Sequence, residues 1–224
     1  MKKIMVATFI TLVMLSLVSA VVHANPLSLA AENGIILPPT GVSFDLDTAF
    51  TGKSQTSAAP ELNARLSYGV FSSVTVAGEF SKSLAKDSDD GRKLVKVLFS
   101  PFHENKGYTI YLGYDLDKGE IPIYGVSLWS NTKYLLTFIN LQTNTQVEGT
   151  QNPLVISPGA NLRITSKIRA GGEAEFKPSN WALQKLRVGA NYAILNNVVA
   201  KFDVERSFSS NPSQAYQAGL TVQI

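Results

Sequence analysis

The feature that most constrains this chain is a two-residue period that starts at Gly41 and runs, with short interruptions, to Ile224. Val42, Phe44, Leu46 and Phe50 alternate with Ser43, Asp45, Asp47 and Ala49. Leu62, Ala64, Leu66, Tyr68 and Val70 alternate with Asn63, Arg65, Ser67 and Gly69. Further on, Tyr108, Ile110, Leu112 and Tyr114 alternate with Thr109, Tyr111, Gly113 and Asp115, and Leu186, Val188, Ala190 and Tyr192 with Arg187, Gly189 and Asn191. Successive side chains of an extended strand point to opposite faces, so each stretch is a strand with one apolar and one polar side. The pattern predicts about twelve strands. Lys93–Phe99, Ile121–Ser130 and Lys133–Gln142 are the stretches in which the two faces blur.

Alternation alone does not say which face points inward, because a soluble barrel with an apolar interior shows the same period. Three observations favour an apolar outside. The connections Phe71–Ser73, Asn131–Thr132, Thr165–Lys167 and Leu195–Asn197 are short, whereas Gly52–Pro60, Lys82–Arg92, Thr143–Pro153, Lys177–Lys185 and Ser207–Ser213 are long and polar. Short turns at one end and longer loops at the other are the arrangement of membrane barrels. Ser100–Gly107 and Asp117–Glu120 break that rule. Next, the aromatics of the apolar face gather near strand ends: Phe50, Phe80, Tyr114, Phe176 and Tyr216 towards one rim, and Tyr68, Tyr108 and Tyr192 towards the other. Finally, no charge occupies the apolar face of a clearly alternating strand, where one Lys or Arg at mid-bilayer costs about 2–4 kcal/mol. Twelve strands also enclose more volume than side chains readily fill, since about eight already suffice. The expected fold is therefore all-β: a closed, antiparallel, up-and-down transmembrane β-barrel of about 12 strands, with every backbone group paired as a bilayer requires.

The terminal strand is the most regular. In Gln214–Ile224, Tyr216, Ala218, Leu220, Val222 and Ile224 fall on one face and Gln217, Gly219, Thr221 and Gln223 on the other. It resembles the C-terminal assembly signal of Gram-negative outer-membrane β-barrels, with Ile224 where that family usually has Phe or Trp. The resemblance implies an outer-membrane location, contact with outer-membrane lipid, and delivery to the barrel assembly machinery through Tyr216–Ile224.

The start of the chain has a different composition. Met1-Lys2-Lys3, the apolar run Ile4–Val18 and the small residues of Val22-His23-Ala24 have the layout of a secretory signal peptide, with Val18-Ser19-Ala20 as an earlier cleavage site. An uncleaved anchor is the alternative, since about 20 apolar residues span a bilayer. Residues 1–24 are read as a signal peptide, 25–40 as an N-terminal periplasmic segment or small plug, and 41–224 as the barrel. Pro38 and Pro39 end anything helical before it.

The chemistry available is narrow. The chain has no cysteine and two histidines, His23 in the leader and His103 in a polar turn. Thiolate and imidazole metal sites, thiol nucleophiles and a strand-borne histidine base are therefore excluded. Without the leader, 18 basic residues face 17 acidic ones, because Lys2 and Lys3 leave the original 20. That balance gives no reason to expect nucleic acid as a partner. No catalytic, cofactor or metal residue is assigned.

The polar faces carry Asp45, Asp47, Arg65, Glu79, Tyr111, Asp115, Arg163, Arg169, Glu173, Glu175, Arg187, Lys201, Asp203 and Glu205, the expected lining of the lumen. The i, i+2 pairs Asp45/Asp47, Glu173/Glu175 and Asp203/Glu205 would suit a calcium site or a paired acid and base, but a lumen wall facing arginines has the same spacing. Acid exceeds base on this list, which predicts a weak cation preference. Two functions stay open: a narrow passive pore for small hydrophilic solutes, suggested also by inward glycines that leave space, and a closed structural or accessory barrel serving envelope integrity, adhesion or surface-polymer export.

Overall fold

In the computed structural model, residues 37, 39–52, 60–85, 91–101, 106–144, 154–208 and 212–224 are described. The expected cleavage sites, His103 and the centres of the longer loops lie outside them. The strands are β1 (Val42–Gly52), β2 (Glu61–Phe71), β3 (Val74–Ser83), β4 (Gly91–Phe99), β5 (Lys106–Asp115) and β6 (Glu120–Asn131). They continue as β7 (Leu135–Asn144), β8 (Leu154–Arg163), β9 (Ile168–Lys177), β10 (Ala182–Leu195), β11 (Val198–Ser207) and β12 (Ser213–Gln223). Each strand pairs antiparallel with its sequence neighbours, and β1 pairs with β12, which closes the barrel. At that seam Val42 and Ile224 exchange both backbone hydrogen bonds, at 2.9 and 2.8 Å. No edge is left, and no described residue is helical.

The apolar faces point outward. Leu112, Val188, Phe202 and Leu220 are about half exposed, and their polar sequence neighbours are buried or half-buried. Among the residues whose side chains are described, charges on the outward face lie near strand ends, at Lys82, Lys93, Lys106 and Arg206, where long side chains reach the interface. Phe50 stands directly opposite Tyr216, which joins two of the rim aromatics across the seam.

Three expectations need correction. The connection taken as Lys177–Lys185 is a tight turn over residues 178–181: Trp181 adopts φ 52°, and a bulge between Leu183 and Lys185 shifts the alternation, so the strand was hidden behind an irregular start. The blurred stretch around Lys93–Phe99 resolves with Val95, Val97 and Phe99 outward and Leu94, Lys96 and Leu98 inward. Lipid cannot accept Lys96 at mid-strand, so its parity fixes the two leucines inside.

The third correction concerns the glycines read as leaving space. A Cβ at Gly171 would lie 2.9 Å from Asn161 Cα, one at Gly159 2.6 Å from Phe138 Cε2, and one at Gly219 2.8 Å from Asp47 Cγ. Neighbouring side chains lie over these positions. These three glycines are seats, not voids.

Candidate functional site

The lumen is the only interior this topology creates, and its wall divides into two unlike halves. Over β3–β7 the inward side chains pack against one another. Ala77, Leu94, Leu98, Tyr111 and Ile123 form one cluster, with Tyr111 1% and Leu98 2% exposed. Leu136 and Phe138 form another, with Trp129 against it. The polar ends of this filling are satisfied: Tyr111 Oη donates to Gln142 Oε1 at 3.1 Å and Trp129 Nε1 to Thr109 Oγ1 at 3.3 Å. Tyr111 thus faces inward as expected, but it fills the lumen and meets almost no solvent.

Charges inside the packed half are paired. Glu79 bridges Arg65 at 3.3 Å and Lys96 at 3.0 Å, and Asp115 pairs with Arg92 at 3.5 Å. Asp115 also accepts the backbone N–H groups of Asp117 and Lys118, at 3.0 and 3.1 Å, so its role is to cap the β5–β6 turn. That cap explains why this odd-to-even connection is short.

Around the seam a second network spans β10, β11, β12 and β1. Lys201 Nζ lies 2.5 Å from Asp45 Oδ1, and Thr221 and Ser43 also donate to Asp45. Asp47 lies over Gly219. Arg187 reaches Glu205 at 2.5 Å and Asp203 at 3.7 Å, and Lys185 reaches Glu205 at 3.7 Å. Asp45 is thereby held by Lys201, and Asp203 and Glu205 share Arg187 of the neighbouring strand.

The wall is different again along β8–β11. There Arg163, Arg169, Glu173, Glu175, Arg187 and Glu205 are all half-buried at inward positions, so they line space that solvent reaches. Asn140 donates to Glu173 at 3.5 Å from β7. Arg163 and Arg169 stand directly opposite each other near the short-turn end. At that same end Leu37, before the first strand, is buried, and its backbone N–H donates to the inward Thr75 at 2.9 Å.

Sequence reasoning missed three lumen cations, Arg92, Lys96 and Lys185, each joined to a lumen carboxylate. With them the excess of acid disappears, and the expected cation preference loses its basis. Lys96 was findable, since a lysine inside an apolar strand has only the lumen to face. Trp129 and Phe138 were not, because an aromatic on the inner face gives the same local pattern as one on the outer.

No protein-family model and no curated relative matches the sequence. Solved structures do. The barrel is similar to the KdgM porin in complex with disordered oligogalacturonate, with a TM-score of 0.63 and 11% identity over 80% of this chain and 98% of that one. This is the fold of an outer-membrane β-barrel porin. The NanC porin gives 0.60 and 12% over 80% and 98%, and Omp33 of Acinetobacter baumannii 0.52 and 9% over 83% and 99%. At these identities the likeness is one of fold, and the side chains of the lumen are this chain's own.

Proposed function

We propose that the protein is an outer-membrane pore through which small hydrophilic solutes pass by a narrow path set against one side of the barrel. The observation that carries this reading is the half-buried charged row on β8–β11. It runs from Arg163 and Arg169 at the short-turn end to Glu175, Lys185 and Glu205 at the long-loop end, the full length of the strands. A continuous charged wall in contact with solvent is what a permeating polar solute needs, because a dry stretch would impose its full desolvation cost. The packed filling of β3–β7 narrows the path and displaces it from the barrel axis. Export through residues 1–24 and delivery to the assembly machinery through Tyr216–Ile224 complete the reading.

The experiment is a planar-bilayer recording on refolded protein. Discrete, ohmic conductance steps, smaller than those of wide porins, are the expected result. Their absence from protein that shows a heat-dependent gel mobility shift would overturn the pore. The second reading, a closed barrel with a structural or accessory role in the envelope, is favoured by one specific observation: the buried cluster around Tyr111 together with the bridging Glu79.

A further inference from the structure

The inward residues of β1, β2 and β3 near the short-turn mouth are small: Ser43 on β1, Ser67 and Gly69 on β2, and Thr75 on β3. They stand side by side in the sheet, Ser43 opposite Ser67 and Gly69 opposite Thr75. Side chains of this size leave room beside the wall, yet Thr75, the second residue of β3, is only 1% exposed. Leu37 occupies that room. It is 6% exposed, and its backbone N–H donates to Thr75 Oγ1 at 2.9 Å. Thr75 in turn stands opposite Leu98, and Leu98 opposite Tyr111, so Leu37 is held beside the apolar cluster that fills this half of the lumen.

The chain reaches this position by a sharp reversal. β1 begins at Val42, on the seam, and just before it Thr40 adopts φ 64°. A β-branched residue rarely takes this left-handed conformation, and such strain persists only where the surroundings over-determine it. Two backbone hydrogen bonds do so here. Thr40 N–H donates to the Gly69 carbonyl and Gly69 N–H to the Gly41 carbonyl, both at 2.9 Å. The reversal directs the chain from the rim back into the mouth, and burial of the Leu37 side chain offsets its cost.

We propose that Leu37, carried on Thr40 and Gly41, is an autoinhibitory strap that closes the space along β1–β3 at the short-turn mouth. With the strap seated, solute is confined to the charged side of the wall along β8–β11. Leu37 itself is anchored, among the described residues, by one apolar side chain and one hydrogen bond to a hydroxyl. Its release breaks no strand pairing, which is what a contact needs if it is to open while the barrel stays whole. The seating of Leu37 stands on geometry alone, and only the narrowing of the path rests on the pore reading.

The test uses single thiols, because the chain has no cysteine of its own. Refolded Leu37→Cys and Ser72→Cys, the latter on the exposed β2–β3 turn, are labelled with a membrane-impermeant maleimide. The thiol at position 37 should react at least about tenfold more slowly in the folded barrel, and as fast as the other after unfolding. Adding Thr75→Val leaves the backbone N–H of residue 37 without its acceptor and should speed its labelling at least about fivefold. Leu37→Asp, whose carboxylate cannot stay buried without a partner, should enlarge the single-channel conductance step. Every variant should keep its heat-dependent mobility shift. Equal labelling of the two folded thiols, no acceleration by Thr75→Val, or an unchanged step in a conducting Leu37→Asp barrel would each overturn the strap. Labelling needs no conductance, so a fast-labelling thiol in a conducting barrel loses only the strap, and a slow-labelling thiol in a silent barrel loses only the pore.

Discussion

Lys201 on β11 reaches past β12 to Asp45 on β1, 2.5 Å away, while Asp47 covers Gly219, the residue directly opposite Lys201 on the intervening strand. A single ion pair thus ties together the strands on both sides of the closing seam. Asp45 also accepts from Thr221 of β12, so all three strands meet on one carboxylate. Both charged groups are largely shielded from solvent, and loss of either strands the other.

Asp45→Asn should accordingly destabilise the barrel by about 1–3 kcal/mol, read as a lower midpoint of urea unfolding in detergent micelles. Lys201→Met should do similar damage. The double variant should cost less than the two singles together, because the second change removes a charge already stranded. Strict additivity would show that the two residues do not act as a pair.

The glycines give a second contrast. A Cβ at Gly219 would fall 2.6 Å from the Leu46 carbonyl oxygen and against Asp47, whereas one at Gly78 has nothing within 4 Å. Gly219→Ala should lower folding yield and the unfolding midpoint, at a cost of about 1–3 kcal/mol from overpacking. Gly78→Ala, on the outward face of β3, should stay within about 0.5 kcal/mol of wild type or gain slightly. If the two behave alike, the wall around the seam is looser than its geometry.

The outward face is tested by charge. Val188 is 53% exposed at the middle of β10, so Val188→Arg should cost about 2–4 kcal/mol and cut membrane assembly sharply. Glu175→Gln, half-buried at an inward position of β9, should assemble normally. Neither Thr109 nor Gly189 serves as the tolerant inward control that alternation alone suggests. Thr109 is fully buried and accepts the Trp129 indole N–H, and a Cβ at Gly189 would lie 2.8 Å from Asp203 Cα. Equal loss of assembly from Val188→Arg and Glu175→Gln would mean that the faces are misassigned.

That contrast marks how far the sequence reaches. The period of two, the aromatic rims and the terminal strand specify the barrel, because each is a local property of one strand. Whether an inward residue lines water or fills space depends on side chains from strands far apart in sequence. Tyr111, Asp115 and Glu175 look alike as inward polar residues, yet Tyr111 packs into an apolar cluster, Asp115 caps a turn and Glu175 meets solvent. The bulge near Leu183 hid the start of β10 for a related reason, since a register shift breaks the alternation from which strands are read.

Glu173 and Glu175 decide between an open and a filled lumen. Both are half-buried on the solvated side of the wall, with Arg187 directly opposite Glu173 and Arg169 two inward positions further along the same strand. In a water-filled path these carboxylates act through their field, so Glu173→Gln with Glu175→Gln should move the reversal potential in a salt gradient towards that of anions. Unfolding should change little, because solvent screens the arginines left behind. In a filled lumen the same pair of changes would leave Arg187 short of a carboxylate in a dry environment, and the unfolding midpoint would fall instead. The experiment is one double variant with two readouts, the reversal potential and the urea midpoint. A wild-type barrel that does not conduct, together with a double variant that unfolds earlier, would overturn the pore and leave the structural barrel. A shift in reversal potential at constant stability is the outcome expected from the solvated row on β8–β11.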